Sequence, residues 1–165
     1  MAARDVFHAA VRQALMTDGW TITHDPLFVA LGGVDRYIDL GAEKLIGAER
    51  DGRQSAVEVK SFLGPSLVSD FHAARGQFLN YHLALAAHHP TRMLYLAVPV
   101  DADDTFFMLP FPQAALAHYH VHLIVYDPQQ QEITQWILGL KQDSPCASSL
   151  FLKDAPVASW DYHNS

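Results

Sequence analysis

The residues best suited to chemistry lie in Ala56-Val57-Glu58-Val59-Lys60. Strand alternation places Glu58 and Lys60 on one face, roughly 7 Å apart, with Val57 and Val59 on the other. Two charged groups in a strand otherwise built for burial are costly unless paired or hydrated. A cation and a water would satisfy both: the carboxylate holds the metal, and the ammonium sits beside the attacking water or a substrate phosphate. The plainer reading is an amphipathic strand with a solvent-facing pair. Asp39, in Tyr37-Ile38-Asp39-Leu40, is a residue type disfavoured within strands. Brought near Glu58 it would complete a pair of carboxylates, the oxygen ligands that Mg²⁺ or Mn²⁺ takes. Otherwise it is an aspartate at a strand end, bonding to backbone. Gln77 and Tyr81 are four apart, so on a helix they share a face.

Two further sets of residues carry weaker signals. Asp5 and His8 lie about one turn apart on an expected first helix, where they would support the site or simply form an exposed face. His118, His120 and His122 alternate. On a strand they would present three imidazoles to a transition metal; a helix running through Tyr119 would split them. Gly-x-Gly-x-x-Gly, Walker, Gly-x-Ser-x-Gly and His-Glu-x-x-His motifs are absent from the chain.

The elements that must position these groups follow from periodicity. Phe7, Ala10, Val11, Ala14 and Leu15 recur at helical spacing from about Arg4 to Asp18, before a stop at Gly19. An extended stretch, Trp20 to Leu31, precedes the turn at Gly32-Gly33. Arg36–Glu49 and Gln54–Phe62 read as hairpin arms about Asp51-Gly52, a pair suited to positive φ. Gly64-Pro65-Ser66 opens a helix to about Ala87 whose stripe is Leu67, Phe71, Ala74, Phe78, Tyr81 and Leu85. Arg92–Val100 reads as a buried strand, Pro112–Tyr119 as a short helix, and Val121–Tyr126 and Ile133–Leu138 as strands joined through Asp127-Pro128. The expected fold class is α/β: a single domain with a central mixed β-sheet flanked by helices. That domain would span residues 1–138, with 139–165 as an irregular extension.

Composition bounds the function. The chain has 165 residues, enough for one domain with a substantial core, and half of them are hydrophobic. Eleven Lys and Arg against 18 Asp and Glu give a net charge of −7. That argues against a general nucleic-acid coat held by phosphate neutralisation but leaves room for a local basic groove. One cysteine, Cys146, excludes an internal disulfide and a cysteine-based zinc finger. The longest apolar run, Met93–Val100, is too short to span a bilayer, and the first residues lack an apolar signal core. The expectation is a cytoplasmic protein without a membrane partner.

Taken in order, Asp39, Glu58-x-Lys60 and Gln77-x-x-x-Tyr81 resemble the PD-(D/E)xK nucleases, in the branch with a Gln-x-x-x-Tyr helix after the Glu-x-Lys strand. The longer blocks LGGVDRYIDLGAEKLIGAERDG, AVEVKSF, GQFLNY, LYLAVPV and LIVYDP are similar to the XisH family, over roughly Arg4 to Leu138. Members of that family are named as controlling factors for excision of a DNA element that interrupts a nitrogen-fixation operon. The resemblances imply a restriction-endonuclease-like fold. They imply Asp39, Glu58 and Lys60 as catalytic residues, Asp39 and Glu58 as ligands of Mg²⁺ or Mn²⁺, and Val59 as a backbone ligand. Gln77, Tyr81, Asp5 and His8 would support them. The activity implied is a metal-dependent endodeoxyribonuclease acting on weakly bound DNA. The alternative is a non-catalytic accessory factor that binds an XisI-like protein, a site-specific recombinase or DNA; a toxin–antitoxin-like pairing with a small partner is a third. Oligomeric state stays open, a homodimer included.

Overall fold

The computed structural model describes residues 3–30 and 45–139, with side chains from residue 6. Asp39, residues 36–44 of the expected first hairpin arm, and the tail from residue 140 lie outside the described residues.

Among the described residues, six strands form one mixed sheet in sequence order. They are β1 (Thr21–His24), β2 (Leu45–Arg50), β3 (Arg53–Val59), β4 (Arg92–Pro99), β5 (His122–Asp127) and β6 (Glu132–Ile137). β1, β2 and β3 run antiparallel, β3, β4 and β5 run parallel, and β6 returns antiparallel. Two of the antiparallel steps, β2–β3 and β5–β6, are closed by short turns. Asp51 and Gly52 close the β2–β3 hairpin with φ of 51° and 75°, which glycine accepts freely. At the β5–β6 turn the Asp127 carboxylate accepts from the backbone N–H groups of Gln129 and Gln130 at 2.8 and 3.0 Å. The parallel steps need crossovers, which bring helices onto the sheet.

Helix α1 (Ala3–Thr17) covers one face. Val11 and Leu15 pack there on Ile46, Val57, Val59, Tyr95, Ala97, Ile124 and Tyr126. Helix α2 (Leu67–His88) covers the other, beginning at Ser66, whose hydroxyl accepts from the Ser69 N–H at 3.3 Å. Its buried residues, Phe71, Ala74, Phe78, Tyr81, Ala84 and Leu85, extend the expected stripe and pack on Ala56, Leu94, Leu96, Val98, Leu123 and Val125. After β4 the chain forms a short α3 (Val100–Ala102), a π-helical turn (Asp103–Phe107) and α4 (Pro110–His118) on the same face as α2.

Some boundaries differ from expectation. β3 ends at Val59 rather than Phe62, because Phe62 takes φ 51° as the chain turns toward α2. The helical segment 100–107 carries no sequence period and is set by packing: Phe106 and Phe107 contact Phe71. Among the described residues no helix is long and apolar enough to cross a membrane.

Candidate functional site

Alternation along β3 decides where Glu58 goes. Ala56 belongs to the core beneath α2, so Glu58, two residues on, points into that same face. It is fully buried, at 0% exposure, between Leu45 of β2 and Leu96 of β4 in the strand register. Lys60 lies just past the strand end. Its backbone N–H still donates to the Ala97 carbonyl at 2.9 Å, continuing the parallel ladder by one step. That bond keeps Lys60 in phase with Glu58. The Lys60 Nζ lies 3.5 Å from Glu58 Oε1, and the lysine side chain is only 12% exposed. The plainer sequence reading, a pair facing solvent, therefore does not describe these two side chains.

Helix α2 supplies the third group. Gln77, on its sheet-facing side, accepts a hydrogen bond from Lys60 Nζ through Oε1. Tyr81, one turn later, is buried in the α2 core. The four-residue spacing thus delivers one polar side chain to the ammonium and one into the core. The loop between β3 and α2 is tied at its middle, where the Gly64 N–H donates to Asp70 Oδ2 at 2.9 Å.

A second tie comes from the opposite face and had no motif to announce it. Tyr126 of β5 donates its hydroxyl proton to the Lys60 carbonyl at 3.1 Å, while Phe7 of α1 meets the Tyr126 ring edge-on at 6.3 Å. Alternation in LIVYDP places Tyr126 with Ile124 beneath α1, but nothing in that pattern indicates what the hydroxyl bonds.

His8 is brought elsewhere. Its Nε2 sits 2.7 Å from Asp25 Oδ1, and Arg12 Nε holds the other oxygen at 3.1 Å. This trio fastens α1 to the loop after β1. Asp5 lies on α1, with its side chain outside the described residues. The three alternating histidines are split: His118 ends α4, His120 takes φ 54° in the turn, and His122 opens β5. Burial lowers the His122 pKa below its ordinary value, helped by the neighbouring His82 and His120. Among the described residues no cluster of three His, Cys, Asp or Glu side chains could hold a metal.

A buried carboxylate beside an ammonium that a carboxamide holds is a preorganised charged group. Glu58 offers hard oxygen atoms, which suit Mg²⁺ or Mn²⁺ rather than a thiolate-seeking metal. The fit is one of donor chemistry; Asp39, the second expected carboxylate, lies outside the described residues.

Residues 1–134 match the family model for the XisH protein. The chain belongs to the XisH family. Two solved structures agree with that membership. A XisH family protein from Nostoc punctiforme shares 51% identity with a TM-score of 0.74, covering 81% of this chain and 99% of its own. An fdxN element excision controlling factor protein from Anabaena variabilis shares 51% identity with a TM-score of 0.74, covering 81% of this chain and 98% of its own. Among curated proteins no match was found. The family match spans every candidate site residue, from Asp5 to Tyr81, and extends past Tyr126.

Proposed function

We propose that this XisH family protein is a DNA-processing factor, a divalent-metal-dependent nuclease of restriction-endonuclease-like fold acting in excision of a DNA element. The observation that carries the reading is the convergence of Glu58, Lys60 and Gln77 at one end of β3. The sheet supports it too. Two antiparallel steps lead into a parallel core, and the Glu-x-Lys strand sits at the junction. Asp39 and Glu58 would hold Mg²⁺ or Mn²⁺. Bound there, the cation would polarise a phosphate and lower the pKa of an attacking water. Lys60 would orient that water and stabilise negative charge developing at phosphorus. Gln77 fixes the ammonium, and Tyr126 and Ala97 fix the backbone that carries it.

The net charge of −7 favours a second reading, in which the fold is retained but the protein acts by binding an XisI-like partner, a recombinase or DNA. A strand groove ordinarily carries surplus positive charge. The fdxN element excision controlling factor from Anabaena variabilis is named for control of excision rather than for cleavage.

The test is nicking of supercoiled, branched and single-stranded DNA at low ionic strength with Mg²⁺ or Mn²⁺, with and without an XisI-like protein. Cleavage lost in Asp39→Ala, Glu58→Ala and Lys60→Ala, with folding intact, supports the nuclease. Wild type that cuts none of these substrates leaves the accessory factor as the better reading.

A further inference from the structure

At the opposite end of β3 lies a concavity, open to solvent and about 880 Å³ in volume. It is built on the α1 face of the sheet. Trp136 of β6 stacks on Trp20 at 5.6 Å between ring centres and meets Tyr95 edge-on at 5.0 Å. Together they form an aromatic corner in the wall of the cavity. Tyr95 is more than nine-tenths buried. Its hydroxyl donates to the Met93 thioether sulfur at 2.9 Å, a weak acceptor that an oxygen or nitrogen of a ligand would readily replace. Burial pushes the Tyr95 phenol above its ordinary pKa against the pull of the nearby Arg53 cation, so the hydroxyl stays a donor at neutral pH.

The two guanidinium groups on the rim differ. Arg50 is committed: Nη1 donates to the Asp18 carbonyl at 2.8 Å and to Asp18 Oδ2 at 3.2 Å, and Asp51 lies 3.7 Å from its Nε. The pair with Asp18 offsets one acid of the rim, and Asp51 stays largely exposed to solvent. Arg53, paired through its backbone with Arg50 at the start of β3, is exposed, and its guanidinium lies near enough to Tyr95 to act on it electrostatically. Aromatic rings set at a right angle, a part-buried hydroxyl with a weak partner and an exposed guanidinium make a combination suited to one ligand chemistry. Bases stack on aromatic rings, and phosphates take charge-assisted bonds from arginine.

We propose that this cavity binds a nucleotide, with the base against Trp136 and Tyr95 and the phosphate on Arg53. The site is separate from the Glu58–Lys60 group and rests on no part of the nuclease reading. Its ligand chemistry has two sources, a free mononucleotide or one unit of a DNA strand. The test is titration of the full chain in EDTA at low ionic strength, following tryptophan emission, with dAMP in one arm and a short oligo(dA) in the other. Saturable quenching is expected. Arg53→Gln should weaken binding about tenfold, the effect of losing one charge-assisted hydrogen bond. Trp136→Phe should remove most of the quench. Equal affinity for the two probes identifies a free nucleotide as the ligand, and clear preference for the oligomer identifies a strand. No saturable quench with either probe, or an affinity unaltered in both variants, overturns the proposal. Because no metal is present, a negative result here leaves the nuclease reading untouched, and failure to cleave DNA leaves this site untouched.

Discussion

The two ends of β3 handle charge in opposite ways. At its C-terminal end Glu58 is fully buried and Lys60 nearly so, and the lysine is held through its ammonium, its amide and its carbonyl. At its N-terminal end Arg53 stands exposed beside an open aromatic cavity. Burying charge carries a desolvation cost that a well-packed apolar pair of the same volume avoids. A surface arginine carries no such cost. On the proposed reading, the C-terminal end is where burial of charge serves chemistry, and the N-terminal end is a surface for recognition.

The largest expected effect comes from breaking the buried group. Glu58→Leu or Lys60→Met alone removes one half of the buried pair and should lower stability by about 3 kcal/mol in urea unfolding. The double variant should recover most of that loss, yet show no metal-dependent activity. A double variant as unstable as the singles would mean that the pair is there for the fold. A somewhat smaller loss is expected at the other end of the sheet. A Cβ at Gly139 would lie 2.5 Å from the Val121 carbonyl oxygen and 2.7 Å from its nitrogen. Gly139→Ala should therefore cost about 2 kcal/mol by forcing backbone apart, read as a fall in Tm without loss of metal binding.

Tyr126→Phe sharpens the comparison from the α1 side. Loss of its bond to the Lys60 carbonyl should cost about 1 kcal/mol, and any DNA cleavage should fall with little change in metal affinity. An unchanged cleavage rate would show that Lys60 is held well enough without Tyr126. The smallest effect is a pH dependence at the lower end. His122 accepts from the Gly139 N–H through Nδ1 at 3.0 Å and is kept neutral by burial, its pKa lowered. The unfolded chain thus takes up a proton at this site before the folded one does. Its contribution is full above the ordinary histidine pKa and is lost as pH falls from there toward the lowered folded value. Tm should drop less steeply below neutrality in His122→Gln than in wild type; parallel curves would contradict this assignment.

Legibility in the sequence followed the reach of each physical signal. The α2 stripe from Phe71 to Leu85 and the alternation through Glu58 and Lys60 are local, and both were readable from spacing alone. So was the turn at Asp51-Gly52, because few residues accept its φ values. The π-helical turn at Asp103–Phe107 was not, since it depends on Phe71 from a distant helix. Nor was the hydroxyl of Tyr126 on Lys60, sixty-six residues apart in the chain. His8 and Asp5 shared a helix face in the sequence, but only the tertiary position of Asp25 shows that His8 is occupied in fastening α1. The tryptophan corner needed Trp20, just after α1, placed against Trp136 of β6, a contact with no local pattern.

The most direct measurement of the central claim is calorimetric titration of Mn²⁺ into wild type, Glu58→Gln and Lys60→Met. The site described here predicts saturable binding in wild type, a loss of roughly tenfold or more in Glu58→Gln, and affinity held or slightly raised in Lys60→Met, where a repelling cation has gone. Wild type that binds no Mn²⁺, or Glu58→Gln that binds it as well as wild type, would contradict the assignment of Glu58 as a metal ligand.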